Sequence, residues 1–210
     1  MNHGPLIFLG AFLTFASAWL GLVFFPNQQL KDLQPQAVEG SAMVNPRPYT
    51  ARELAGRDVY VAEGCSYCHT QQVRGGEYNA DLQRGWGPRR SDPQDYVHDN
   101  PVLLGTMRTG PDLVNVGARF TGEAGTRWHY LHLFNPQRVS PGSTMAPFRF
   151  LFETRKVVGE PAADALRFPA DWTAADGAPE AGHEVVPTDR ARALVAYLAA
   201  LDRTYEIAKK

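Results

Sequence analysis

The sequence predicts an all-α fold, in which one N-terminal membrane-spanning helix is followed by a helical domain with long loops. The first observation behind this prediction is an uncharged run of twenty residues at 6–25. The second is a set of helix signals near residues 50–64, 126–134 and 188–201, separated by segments that carry many of the 16 prolines and 19 glycines. A chain of 210 residues has room for one anchor and one domain of about 150 residues. We therefore expect an anchor at 1–26, an extended tether at 27–49 and one domain at 50–210.

The apolar run is long enough to cross a membrane. Twenty helical residues cover about 30 Å, which is the thickness of a hydrocarbon core. A cleaved signal peptide is the alternative, because Ala16-Ser17-Ala18 resembles a cleavage site. That triplet lies inside the apolar run, and no Lys or Arg precedes the run. We therefore expect a retained single-pass anchor in contact with membrane lipid.

The segment that follows the anchor carries no helical period. Residues 27–49 are rich in Gln and Pro, which indicates an extended tether or a segment that lies along a partner. Thr50 and Glu53 then form a capping box, with Thr as the N-cap and Glu three residues later. A helix is predicted from this point to about Gly64.

Directly after that helix stands the pattern Cys65-Ser66-Tyr67-Cys68-His69, which is the C-x-x-C-H pattern of c-type haem attachment. Two thiols at this spacing can add to the two vinyl groups of one haem, and the next histidine is then held under the iron as an axial ligand. A redox C-x-x-C, half of a zinc site and a structural disulfide are the alternatives. The sequence lacks the βαβ context of the first and the second cysteine pair of the second. We predict one covalently attached haem c with His69 as an iron ligand.

Composition narrows the choice of partners. The two cysteines are both used by the motif, so we expect no disulfide. The net charge of −1 gives no case for nucleic-acid binding. Covalent haem attachment takes place on the outer side of the membrane, so we expect the domain at the periplasmic face of a bacterial inner membrane.

The loop after the motif contains five arginines, of which one or two could hold the haem propionates. Each of the five is also explained as solvated surface charge; they are Arg74, Arg84, Arg89, Arg90 and Arg108.

A methionine in a proline-rich loop is the candidate for the sixth iron ligand. Met145 lies 76 residues after His69 and two residues before Pro147. Ligation by Met and His raises the reduction potential and suits electron transfer. His129 and His132, on the predicted helix at 126–134, are alternative ligands in principle. Met1, Met43 and Met107 are poorer candidates because of their positions at the terminus, in the tether and near the proximal turn.

The last third of the chain contains a loop and a helix. Residues 153–187 are rich in Ala, Pro and Gly, which predicts a long surface loop with one helical turn. Thr188 is the expected N-cap of a final helix. Its apolar residues follow a pattern of one buried face; they are Ala191, Leu194, Val195, Leu198 and Leu201.

The order of these features resembles a class I cytochrome c on a membrane stalk. In small c-type cytochromes, a Gly-Pro-x-Leu turn lies beside the haem histidine, and its proline carbonyl accepts the free imidazole N–H. Gly110-Pro111-Asp112-Leu113 is similar, which implies that Pro111 orients His69, although an ordinary turn would use the same residues. In such proteins the first and last helices cross beside the haem, which implies a contact between Tyr60 and Tyr197.

The match narrows further to the mono-haem subunit of cbb(3)-type cytochrome c oxidases. The similar stretches are Gly56 to Tyr60, Glu63 to Cys65, Cys68 to Gln71, Val73-Arg74, His98-Asp99, Arg108 to Leu113, Val116-Gly117, Arg119, Trp128-His129, His132-Leu133, Asn135-Pro136 and Ser143 to Pro147. Two features depart from that family. Ala146 separates Met145 from Pro147, and Phe148-Arg149-Phe150 replaces an aromatic-Pro-Trp run.

This resemblance implies a non-catalytic electron relay within a terminal oxidase. Electrons would come from another c-type cytochrome subunit or a soluble cytochrome c, and would pass to a large multi-span haem-copper catalytic subunit that reduces oxygen. The cytochrome c subunit of a nitric oxide reductase and a stand-alone anchored electron carrier remain alternatives. A haem sensor or a peroxidase would need an open or labile sixth position, which Met145 argues against.

Overall fold

The computed structural model describes residues 2–38, 42–77 and 80–207. It begins with helix α1, Gly4–Leu30, which contains a π-helical segment at Leu20–Phe24. No part of its most apolar window is buried against the rest of the chain, and the two polar side chains between residues 6 and 25 bond to the backbone of the helix, Thr14 to Gly10 and Ser17 to Thr14. An apolar helix with no protein partner and internally satisfied polar groups is compatible with a single-pass membrane anchor.

In the rest of the described chain, the regular secondary structure is mainly helical and long loops connect it, as predicted. Its α-helices are α2 (Ala51–Ala62), α3 (Cys65–Cys68), α4 (Val116–Arg119), α5 (Gly122–Phe134), α6 (Pro136–Val139) and α7 (Asp189–Ala200). Short 3₁₀ turns lie at Pro93–Tyr96, Arg149–Leu151 and Ala174–Asp176. The capping box of Thr50 and Glu53 opens α2, and Thr188 caps α7, which confirms both predicted helix starts.

Helices α2 and α7 pack against each other and form the centre of the domain. At the closest point, a Cβ on Gly56 would lie 1.9 Å from the carbonyl oxygen of Ala193, so only glycine permits this approach. The rings of Tyr60 and Tyr197 meet edge to face with their centroids 5.6 Å apart, which confirms the contact expected between them. Both rings are fully buried, and the chain enters α3 and the C-x-x-C-H motif directly from this crossing.

Two short antiparallel strand pairs were not predicted, so the expectation of an all-α domain holds only in its main feature. Strand β1 (Gln36–Ala37) pairs with β2 (Val44–Asn45), and β3 (Phe152–Lys156) pairs with β4 (His183–Pro187). The second pair corrects the prediction of a surface loop at 153–187. Val185 and Val186 are buried in the core, and β-branched side chains favour a strand at such a position.

The segment between the anchor and the domain packs on the domain instead of running free. The side chain of Gln94 donates to the carbonyl of Gln34, and His98 Nε2 lies 3.1 Å from the carbonyl oxygen of Pro46. Tyr49 accepts a hydrogen bond from Arg203 at 2.7 Å. The tether boundaries at 27 and 49 stay a prediction, and residues 39–41 lie outside the described part of the chain.

Candidate haem site

The C-x-x-C-H motif forms one helical turn whose two thiols lie three residues apart. Gly64, with φ of 70°, turns the chain into α3, and His69 leaves it in an extended conformation. Cys65 packs partly against the hydrophobic core, while Cys68 is exposed. Burial raises the pKa of the Cys65 thiol to about 12. Redox C-x-x-C motifs depend on a lowered cysteine pKa, so the environment of Cys65 does not favour that alternative.

The imidazole of His69 is held in one orientation by the turn at Gly110-Pro111. His69 Nδ1 lies 2.8 Å from the carbonyl oxygen of Pro111. Because a carbonyl oxygen only accepts, Nδ1 carries the proton and Nε2 keeps its lone pair. Burial lowers the pKa of His69, which favours the neutral imidazole that binds metals. A Cβ on Gly110 would lie 2.2 Å from His69 Cε1, so the glycine backbone packs directly on the ring.

Asp112, which sequence reasoning did not single out as a site residue, fastens this turn to the chain after the motif. Its fully buried carboxylate accepts hydrogen bonds from the Thr70 hydroxyl at 2.5 Å, the Gln72 amide at 2.7 Å and the Val114 amide at 2.9 Å. Burial raises the pKa of Asp112. The only signal in the sequence was its place in a Gly-Pro-Asp turn, which does not reveal partners about 40 residues away.

Several buried nitrogen atoms in the described part of the chain have no hydrogen-bond partner; they include Arg119 Nε, His129 Nε2 and His132 Nδ1. These side chains lie close to His69 or to one another, because Arg119 contributes to the lowered pKa of His69, His69 to that of His132, and His132 to that of His129. Burial lowers the pKa of His129 and of His132 to about 4, so both are neutral at pH 7. An unsatisfied buried polar group costs about 1–3 kcal/mol, so this cluster fits a group that brings its own polar oxygens.

An exposed apolar surface at residues 102–107, here named the apolar wall, lies beside the motif. The segment at 102–107 is hydrogen-bonded to it, because Gln71 donates to Leu104 and Thr106 donates to Ser66. Its apolar side chains and that of Tyr67 remain exposed; they are Val102, Leu104 and Met107. A porphyrin has an apolar face and two carboxylates, so the thiols, the oriented imidazole, the unpartnered polar atoms and this wall together fit a haem.

The arginines proposed to bind the propionates differ in whether they already bind a carboxylate of the protein. The guanidinium of Arg89 donates to both carboxylate oxygens of the buried Asp95, at 2.9 and 2.7 Å, and Arg108 binds the buried Asp81. Arg84 stacks over Trp86, and Arg74 and Arg90 are exposed. Arg119 was not among the candidates, yet it combines an unpartnered buried Nε with a position near His69.

Met145 lies partly buried against the same hydrophobic core as Cys65. Its amide donates to Ser143 Oγ at 3.2 Å, and its carbonyl accepts from the side chain of Gln137. Met43 and Met107 are exposed, and Met1 lies outside the described residues. The roles of Cys65, Cys68, His69, Pro111 and Met145 stay predictions, which the contacts around each residue support.

The contact between Gly110 and the imidazole gives a direct test. We expect Gly110→Ala to displace the His69 ring from the Pro111 carbonyl, because the new Cβ would overlap Cε1. Overpacking of this kind costs about 1–3 kcal/mol. Loss of the hydrogen bond also makes the imidazole less basic, so the reduction potential of the haem should rise. Thermal unfolding and potentiometric titration measure the two effects.

Gly75→Ala is the matched control, since its Cβ would meet only Arg90 Cδ at 4.0 Å. Equal potentials and melting temperatures for the Gly110→Ala variant and the unchanged protein would contradict the proposed orientation of His69.

Comparison with protein families places these features in a known context. Residues 22–167, more than two thirds of the chain, match the family model described as "Cytochrome C oxidase, mono-heme subunit/FixO". The matched range includes the whole C-x-x-C-H motif, the Gly-Pro turn and Met145. A search of curated proteins gave no significant match.

Proposed function

The chain belongs to the FixO family of mono-haem cytochrome c oxidase subunits, and we propose that it is the membrane-anchored electron relay of a cbb(3)-type terminal oxidase. In this proposal it carries one covalently attached haem c, which supplies a site that gains and loses one electron. The observation that carries the proposal is the Cys65–His69 turn with the Pro111 carbonyl on His69 Nδ1, in a chain whose described residues include one helix long and apolar enough to span a membrane.

Each predicted residue has a distinct task in this proposal. Cys65 and Cys68 hold the haem by thioether bonds at the end of the α2–α7 crossing. The Pro111 carbonyl accepts a hydrogen bond from Nδ1–H of His69, which leaves Nε2 free as the nitrogen that would bind iron. Met145 would supply its thioether as the second protein ligand. Two fixed ligands keep the coordination the same in both oxidation states, which suits electron transfer and leaves no position for oxygen.

The partners follow from this role. One membrane span cannot build the oxygen-reducing centre, so a large multi-span haem-copper subunit must receive the electrons. The donor is another c-type cytochrome subunit or a soluble cytochrome c. In this proposal the domain lies at the outer face of a bacterial inner membrane, and the contacts of Gln34 and Pro46 with the domain limit how far it can move from the anchor.

The function can be tested on the intact complex. A tag at the C-terminus should isolate the chain from detergent-solubilised membranes together with a multi-span subunit that contains b-type haem. We expect the complex to consume oxygen with reduced cytochrome c as donor, and its haem c to be reoxidised when oxygen is admitted. A complex that consumes nitric oxide and not oxygen would support the reductase alternative. Isolation of the chain by itself from active membranes would support the stand-alone carrier.

A further inference from the structure

We propose that residues 171–177, here named the clamp segment, position the Met145 loop, defined as residues 140–148. By bracing both ends of that loop, the clamp segment determines how firmly the Met145 thioether is held at the iron. This inference rests on the proposed role of Met145 as sixth ligand. It assigns a positioning role to a part of the chain that lies beyond the family match, which ends at residue 167.

The N-terminal end of the loop is bound to the clamp segment by two side chains. Asn135 Nδ2 donates to the carbonyl oxygen of Asp176 at 3.0 Å. Arg138 Nη2 donates to the carbonyl oxygen of Asp171 at 2.8 Å and to its carboxylate at 2.5 Å, and Arg138 Nε lies 3.4 Å from the Asp176 carboxylate. Both residues belong to the short helix α6 and its cap, from which the Met145 loop leaves.

The C-terminal end is bound to the same point. Arg149 Nη2 donates to the carbonyl oxygen of Asp176 at 2.9 Å, so this one carbonyl accepts from both ends of the loop. The guanidinium of Arg149 also lies 5.2 Å above the ring of Phe134. Gly177, with φ of 97°, allows the close approach, since a Cβ there would lie 2.7 Å from the Phe134 ring and 3.1 Å from Arg149 Cζ.

The clamp segment is itself a folded element that can resist displacement. Asp176 accepts from the amide and the hydroxyl of Thr173, at 2.9 and 3.0 Å, and these bonds lower the pKa of its carboxyl group. Trp172 packs on Phe168 with ring centroids 5.4 Å apart, and Phe168 packs on Phe134 at the same distance. A capped turn that is anchored by aromatic contacts to the core provides a fixed support.

By contrast, the backbone amide and carbonyl of Met145 bond to residues nearby in the sequence. Its amide bonds Ser143, and its carbonyl accepts from Gln137, which is also on α6. The Met145 side chain packs against the hydrophobic core, and its backbone is placed there by the way the two ends of the loop are held. Removing the contacts at both ends should let the loop open more often, which exposes the iron to competing ligands.

The test uses the purified haem-loaded chain and measures how fast imidazole replaces the native sixth ligand on ferric iron. That rate reports opening of the Met145 loop. We expect the double variant Arg138→Ala/Arg149→Ala to react about tenfold faster or more, the change that loss of roughly one net hydrogen bond predicts. Arg138→Lys should give an intermediate rate, because lysine keeps the charge but not the fork.

Arg192→Ala is the matched control. It removes the pairs of Arg192 with Asp164 at 2.6 Å and with Asp189 at 3.0 Å, and neither aspartate belongs to the clamp segment or to the Met145 loop. We expect it to keep the unchanged rate within about twofold, the effect of an exposed pair. If the double variant reacts at the unchanged rate, or if the control accelerates equally, the clamp is refuted. Should the double variant not fold, Arg138→Gln alone must still show faster exchange.

Failure of the clamp and failure of the ligand assignment give different results. If the unchanged protein has the optical band of methionine-bound ferric haem and the clamp variants exchange ligands at its rate, only the clamp is wrong. If Met145→Ala leaves that band in place, Met145 is not the sixth ligand, and both proposals are overturned.

Discussion

Replacing both Cys65 and Cys68 with alanine is expected to leave the chain with no covalently bound haem. The two thiols are the only cysteines in the sequence, so no other side chain can form the thioether bonds. The measurement is a peroxidase-activity stain for haem on a denaturing gel. Because the chain is unfolded there, the stain detects only haem that is covalently attached to it. Complete loss of the band is the expected result.

The effect should extend to the stability of the domain. Without the haem, Arg119, His129 and His132 would keep buried nitrogen atoms without partners, and the apolar wall at 102–107 would face water. A ligand that binds only the folded state stabilises that state by mass action. Covalent attachment strengthens this effect because it keeps the haem beside its site at a high effective concentration. We therefore expect the double variant to melt at a clearly lower temperature and to accumulate less in membranes.

Single variants and a neighbouring control sharpen the result. Cys65→Ala should lower the melting temperature more than Cys68→Ala does, because Cys65 packs against the core while Cys68 is exposed. Ser66→Ala, inside the same turn, should keep the haem band. A haem band that persists in the Cys65→Ala/Cys68→Ala variant would show that the motif does not attach the cofactor.

Features that depend on a few neighbouring residues were predictable from the sequence. The capping box of Thr50 and Glu53, the N-cap at Thr188 and the C-x-x-C-H turn involve residues at most four positions apart. Their spacing alone fixes which backbone or side-chain groups meet, so the pattern was sufficient. The apolar period of the last helix likewise predicted its buried face, including Leu194 and Leu198.

Contacts between distant residues were predictable only where the family resemblance implied them, as for Tyr60 with Tyr197 and His69 with Pro111. Phe152 pairs with Pro187 across 35 positions, and nothing in the composition of 153–187 indicates that pairing. Asp112 bonds Thr70 across 42 positions. The same limit applies to the arginines, because Arg89 and Arg108 have buried carboxylate partners that only the fold brings near. Charge type identified these side chains as candidates, but the fold decides which of them is free for a propionate.

Replacing Met145 with alanine is expected to remove the sixth iron ligand and to lower the reduction potential. The neutral thioether favours ferrous iron, so its loss should shift the potential down by an amount on the order of 0.1–0.3 V, within the roughly 0.8 V that axial ligands span. The ferric protein should also lose the long-wavelength band at about 695 nm that accompanies ligation by Met and His. Potentiometric titration and optical spectra measure the two changes.

Met107→Ala is the control for this experiment, because Met107 is exposed in the segment that runs along the haem motif. It should keep both the band and the potential.

The alternative ligands lie on α5, where His132 is close enough to His69 for their charges to interact, and both His129 and His132 have an unpartnered nitrogen. If the band survives in Met145→Ala, methionine ligation by this residue is excluded. If the unchanged protein lacks the band and its low-spin spectrum is lost in His132→Ala, a bis-histidine centre replaces the one proposed. Since two histidine ligands give a lower potential than Met and His, that outcome would also make the chain a weaker electron acceptor for a cytochrome c donor.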